Sequence, residues 1–282
     1  MLKKMRPKYR PSLVVDAGNF MPRGLADRKI RADITVRAMA MMGYGAINLG
    51  PVDFSLGLRY LTEKAQELSL PLVTSNLVFG SPPNLAIKRS LVVDSDGIRV
   101  GILGIAPISF LEKSGQHPGL AGIRAEPPGQ ALAELLPKLK DKTDIILLLS
   151  QLSQEETLNL VKRFSAIDIA IVAARTSNCD TRTKTVNSSY ILTAGYKGKK
   201  LGRVTLDIQT GKPLKVVDSE LIGLGDSVIM DPEINKMIID AFRRRKRQAN
   251  RKRQEELKKK LMDNLKMSPE EFFEKLQKGE TK

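Results

Sequence analysis

An α/β sandwich is the fold class that this sequence predicts. Short runs that are apolar on both alternations, as strands buried on two faces must be, alternate with longer runs whose apolar residues recur at three-and-four spacing. Two further stretches place strand-like runs on either side of turn residues, which adds antiparallel hairpins to a parallel framework and makes the sheets mixed.

The elements follow in order. Residues 13–17 read as a buried strand, residues 31–42 as an amphipathic helix, and residues 46–49 as a second buried strand. A helix over 55–68 leads to a strand at 72–75. Residues 90–93 and 99–103 flank Asp96-Gly97 as a hairpin. A helix at 130–139, a strand at 145–149, a helix at 154–164 and a strand at 169–173 continue the alternation. Residues 203–208 and 214–217 flank Thr210-Gly211 as a second hairpin.

With 282 residues, 41% hydrophobic and 28% charged, the chain can bury a sizeable core in one domain, placed at 1–226, with a basic helical tail at 227–282. No apolar run approaches the roughly 20 residues that span a bilayer. The basic N-terminus is followed by no apolar run of leader length before Ser12, so as written the sequence carries no secretion signal. One cysteine, Cys179, leaves no internal disulfide and an inert thiol as the default. There is no phosphate loop of Gly-x-x-x-x-Gly-Lys form, no nucleophile elbow, no paired-cysteine zinc spacing and no repeat of solenoid length.

The net charge of +16 sits at the ends. The first ten residues contribute +5, and residues 242–260 hold 11 basic and 2 acidic side chains, a net +9. The domain between is close to neutral and offers no general argument for nucleic-acid binding.

Several segments carry a family likeness. Ser12-Leu-Val-Val-Asp-Ala-Gly-Asn19, Ala46-Ile-Asn-Leu-Gly-Pro-Val-Asp-Phe54, Leu70-Pro-Leu-Val-Thr-Ser-Asn76, Gly97-Ile-Arg-Val-Gly-Ile-Leu-Gly-Ile105, Ile145-Ile-Leu-Leu-Leu-Ser-Gln-Leu152, Ile169-Ala-Ile-Val-Ala-Ala-Arg-Thr-Ser177 and Leu192-Thr-Ala-Gly-Tyr-Lys-Gly-Lys-Lys-Leu-Gly202 occur in that order. Together they resemble the N-terminal domain of 5′-nucleotidases, within the calcineurin-like phosphoesterase superfamily, over roughly residues 8–225. The resemblance implies a four-layer α/β/β/α metallophosphatase sandwich and, for the family, two divalent metal ions. It also implies metal-binding or catalytic positions at Asn19, Pro51, Val52, Gln151, Arg175 and Ser177, where the family carries Asp, Asn and His. Proline and valine side chains offer a cation no donor, and asparagine and glutamine lack the anionic oxygen and imidazole that a two-metal centre uses. No metal cofactor is therefore expected.

The family's opening Asp-x-His strand has no counterpart. Residues 1–11 read as the end of the helix that would precede residue 12, so the domain is expected to lack its first strand and helix. A cytoplasmic setting fits the sequence as written, and an extracytoplasmic one fits if a leader precedes Met1.

In an α/β sheet, ligands gather where strands end at their carboxyl edge, so Asn19, Pro51, Asn76, Gln151 and Arg175 are expected on one rim. Asn19 suits either a tight turn after its strand or residual ligand binding. Asp53 is expected to cap the helix starting near Phe54. Arg175 is open to two readings, a solvated arginine or a cation that attracts phosphate where a metal ligand stood. The lone histidine, His117, reads as an ordinary loop residue.

In the tail, Asp231-Pro232-Glu233 reads as a capped helix start, followed by an apolar stripe of Ile234, Met237, Ile238, Ala241 and Phe242. A solvated basic helix then carries Arg243, Arg244, Arg245, Lys246, Arg247, Arg251, Lys252 and Arg253, before Leu257, Leu261 and Leu265 resume a narrow stripe. Ser268-Pro-Glu-Glu271 begins another helix. The expected function is that of a degenerate, non-catalytic scaffold or interaction module with a protein partner. The alternative is a divergent phosphoesterase whose missing ligands come from upstream or from another chain. A third reading gives the tail weak contact with polyanions or anionic membranes.

Overall fold

The computed structural model describes residues 1–24, 27–80, 86–109, 120, 122–174, 176–177, 179–209, 212–265 and 268–278; the side chains of 264, 265, 269, 272, 275 and 276 are likewise outside it. His117, Arg175 and the Thr210-Gly211 turn lie outside the described residues. The chain divides into two units, Met1–Ile229 and Met230–Lys282.

The first unit opens with α1 (Leu2–Met5), β1 (Val15–Asp16), α2 (Arg28–Met42) and β2 (Ala46–Asn48). A 3-10 turn at Pro51–Phe54, α3 (Gly57–Leu68), β3 (Leu72–Val73), β4 (Leu77–Phe79) and β5 (Ile87–Lys88) follow. Then come β6 (Ser90–Ser95), β7 (Ile98–Ile105), β8 (Ile123–Ala125), α4 (Pro128–Lys140), β9 (Ile145–Ser150), α5 (Gln154–Arg163) and β10 (Ile169–Val172). The unit closes with β11 (Lys184–Val186), β12 (Ser189–Leu192), β13 (Lys200–Asp207) and β14 (Lys215–Gly223).

One sheet runs β1-β2-β3-β5, all parallel; the other runs β11-β12-β10-β9-β7-β6, parallel at its centre with antiparallel edges. The side-chain period of two along β9 shows how they stack. Ile146 and Leu148 point to the helices, packing with Leu132, Leu135 and Leu139 of α4 and Val161 of α5. Ile145, Leu147 and Leu149 point the other way, into a layer shared with Ala46 of β2 and Val73 of β3. Ile47, Leu49 and Leu72 in turn meet Val36 and Met39 of α2 and Leu61 and Ala65 of α3. Three apolar layers between four structural ones give the α/β/β/α order. Each fully buried leucine, Leu148 among them, contributes on the order of 1.5–3 kcal/mol.

The expected strand at 13–17 shortens to β1, losing Leu13 and Val14 at its start and Ala17 at its end, and that at 72–75 shortens to β3. The helix expected from 55 begins at Gly57, since residues 51–54 make a separate 3-10 turn. The hairpin between β6 and β7 has Asp96 and Gly97 at positive φ (51° and 89°), the primed turn that suits right-twisted strands.

The second unit holds α6 (Pro232–Leu265) and α7 (Pro269–Gln277). The Asp231 carboxylate accepts from the Glu233 and Ile234 N–H groups at 3.0 and 3.3 Å. Ser268 and Glu271 cap each other's backbone reciprocally, at 3.2 and 2.8 Å, and so start α7. Lys258 lies 5.7 Å from the centre of the Phe273 ring.

Candidate functional site

The parallel strands β1, β2, β7 and β9 end together, and their carboxyl ends are joined by side-chain amides. Asn48, the last residue of β2, is fully buried. Its Nδ2 donates to the carbonyls of Ala17, Ile105 and Leu149 at 3.2, 3.2 and 3.0 Å, so one amide spans both sheets. Its Oδ1 is buried without a hydrogen-bond partner and lies against Gly104, where a Cβ would collide with it.

Asn19 follows β1 through a left-handed conformation (φ 65°) that asparagine tolerates better than most residues. Its Nδ2 donates to Gln151 Oε1 at 2.5 Å, and its Oδ1 accepts the Val52 N–H at 3.0 Å. Gln151, 1% exposed, donates from Nε2 to the Ala17 carbonyl at 2.6 Å, while its own N–H reaches the Ile105 carbonyl. Every side-chain oxygen and nitrogen of this pair is thus engaged within the protein. Gly50 lies so close that a Cβ there would run into Asn19 Oδ1, and one at Gly18 (φ 100°) would lie 3.0 Å from Gln151 Nε2.

Asp53 corrects the expectation that it caps the following helix. It is fully buried within the 3-10 turn and reaches backward, accepting from Gly50 N–H at 2.7 Å, Asn19 N–H at 2.8 Å and Met21 N–H at 3.0 Å. The carboxylate therefore fastens the loop after β1 to the turn after β2. Burial pushes it up to about 7, with the three N–H groups opposing that rise and the charge of Asp16 adding to it. Asp16, half-buried, is pushed up to about 6 by desolvation, against the Gly18 N–H that favours its charge at 2.7 Å.

The structure brings Asn19, Val52 and Gln151 together, with Val52 contributing its backbone rather than its side chain. Pro51 occupies the first position of the 3-10 turn, where its missing N–H costs nothing. Asn76 lies on the same edge but is fully buried, bonded to both backbone groups of Ala106 at 2.9 Å. Ser177 is exposed in a turn after β10, and Cys179 is half-buried. Among the described residues no group of three or more His, Cys, Asp or Glu stands where it could hold a metal ion. The donor chemistry agrees. Asn19 and Gln151 spend their oxygens on N–H groups, Pro51 and Val52 have no donor, and the Asp53 carboxylate is turned into the backbone, so these described residues do not fit a two-metal centre.

Sequence reasoning missed Asn48 and the inward role of Asp53. A signal for Asn48 existed: a polar residue in a strand that is otherwise apolar on both faces must find partners inside the protein.

No protein-family model and no curated protein matches the chain. Solved structures do. A NAD nucleotidase from Haemophilus influenzae aligns with a TM-score of 0.72 at 14% identity, covering 87% of this chain and 53% of that one. A 5′-nucleotidase precursor from Thermus thermophilus aligns at 0.66 and 19%, covering 86% and 50%. A calcineurin-like phosphoesterase from Bacillus subtilis aligns at 0.65 and 20%, covering 86% of each. The chain has the calcineurin-like metallophosphatase fold, as the motif resemblance implied. It spans about half the length of the two nucleotidases. At these identities the likeness establishes the fold alone.

Proposed function

We propose that the domain is a degenerate, non-catalytic metallophosphatase-fold module that serves as a scaffold or interaction module and binds no stoichiometric divalent metal. The observation that carries this reading is the Asn19–Gln151 amide pair at the carboxyl edge, whose four side-chain polar atoms are directed at Val52, Ala17 and each other. Two-metal hydrolysis needs anionic bridging oxygen and several neutral imidazoles facing a shared space. Here the matching positions hold amides that close on themselves, and Gly50 lets them pack tightly enough to do so. A cation entering would have to break the three hydrogen bonds that engage these four atoms, one partner of which, Gln151, is buried.

The test is phosphate release from nucleoside monophosphates by the purified full chain. The expected result is no turnover above background with Mn²⁺, Zn²⁺ or chelator. Turnover abolished by chelator and restored by metal would overturn the reading in favour of a divergent phosphoesterase.

A further inference from the structure

We infer that the basic stretch of α6 is a docking surface for duplex nucleic acid, held in the major groove chiefly through phosphates. This goes beyond the reading of the rim and is independent of it, because it rests on the second unit alone.

All residues from 243 to 260 are exposed and helical, and they carry 11 basic against 2 acidic side chains. Over 18 residues at about 1.5 Å rise, a net +9 falls on roughly 27 Å, or one charge per 3 Å. Duplex DNA carries one phosphate charge per about 1.7 Å of axis, so the helix brings roughly half the charge density of the duplex with the opposite sign.

The arrangement of the charges discriminates between anionic partners. Arg244, Arg245 and Lys246 recur seven residues later as Arg251, Lys252 and Arg253, and again as Lys258, Lys259 and Lys260. At about 100° per residue on a 3.6-residue turn these form three rows along the helix, spread over roughly 200° of its circumference. A helix lying on a bilayer needs apolar residues at the centre of its buried arc, flanked by cations. Here the centre of the arc holds three cations, Arg245, Lys252 and Lys259, with only Ala249 apolar and Glu256 acidic among them. Leu257 and Leu261, about half exposed, lie on the opposite side. A major groove about 12 Å wide admits a helix of 10–12 Å diameter and sets phosphates along both of its flanks. In that setting the rows led by Arg244 and Lys246 face the two strands, and the central row faces the groove floor. Within the stretch, Glu255 pairs with exposed Arg251 at 2.9 Å and Lys258 lies over the Phe273 ring, so the two acids offset only part of the basic charge and a net +9 remains.

The experiment is fluorescence anisotropy of the full chain with a 25-base-pair DNA duplex of arbitrary sequence, across a salt series. The expected slope of log affinity against log salt is roughly −0.9 per phosphate neutralised, and about −5 or steeper for the three rows. Replacing the central row (Arg245→Gln, Lys252→Gln and Lys259→Gln) keeps good helix formers and should weaken binding at least tenfold. Removing the same charge at the N-terminus (Lys3→Gln, Lys4→Gln and Lys8→Gln) should change it less than threefold. Far-UV circular dichroism checks that both variants keep their helix content, and the salt slope of the unmodified chain tests the proposal without them. Absence of duplex binding at 50 mM salt, an equal loss in the N-terminal variant, or equal or tighter binding to vesicles rich in phosphatidylserine would each overturn it.

Discussion

The carboxyl edge of the body and the exposed stretch of α6 treat polar groups in opposite ways. At the edge, Asn48, Gln151 and Asp53 are buried and Asn19 half-buried, and apart from Asn48 Oδ1 their side-chain polar atoms bond to one another and to backbone, so the protein itself is the partner. Along 243–260 the side chains are exposed and predominantly basic, 11 against 2 acidic, and burying such charges without partners would cost them hydration. The difference teaches where to look for binding. In a metallophosphatase fold attention goes first to the edge; among the described residues here the edge amides bond within the protein, while the cations of 243–260 are exposed.

The largest expected effect lies at the edge. Asn48→Asp replaces the one donor serving three carbonyls with a carboxylate facing them, which should cost about 3–5 kcal/mol in denaturant unfolding. A loss below about 1 kcal/mol would mean that the amide does not hold the two sheets together.

Next comes a pH effect. Asp16 and Asp53 have folded-state values raised to about 6 and about 7 from 3.8, so the folded protein holds protons that the unfolded chain has released. Their contribution is fully present below about pH 4 and is lost as pH rises through 6 to 7, at no more than about 1.4 kcal/mol per pH unit for each group. Asp53→Asn should flatten the fall in stability between pH 4 and 7 relative to the unsubstituted protein; a parallel profile in the variant would contradict this assignment.

Gly50→Ala should cost about 1–3 kcal/mol, because its Cβ presses on Asn19 and Gln151. The smallest effect belongs to the tail. Arg251→Gln removes an exposed pair with Glu255 and should shift stability by less than about 0.5 kcal/mol in thermal unfolding. If the tail substitution proved as costly as Gly50→Ala, the contrast between the two regions would collapse.

The layered fold was legible because burial on both faces leaves a plain mark: residues 145–149 are all apolar, and β9 duly has one alternation facing the helices and the other facing the second sheet. The capped starts of α6 and α7 were legible for a similar reason, since Asp231 and Ser268 act on residues two and three positions away. The amide network was not. Asn48 finds its acceptors 31, 57 and 101 residues away, and no local pattern encodes such partners. Asp53 misled because the sequence shows an acid near a helix start but not that its oxygens turn toward Asn19 and Met21.

The most direct measurement is the thermal unfolding midpoint of the full chain in excess chelator and in excess Mn²⁺ or Zn²⁺. A ligand that binds only the folded state at a hundred times its dissociation constant adds about 2.7 kcal/mol, which raises the midpoint by several degrees. A rim closed by its own amides predicts midpoints that agree within about one degree. A rise of several degrees with metal, lost again in the Asn19→Ala and Gln151→Ala variants, would show that the edge is a metal site after all.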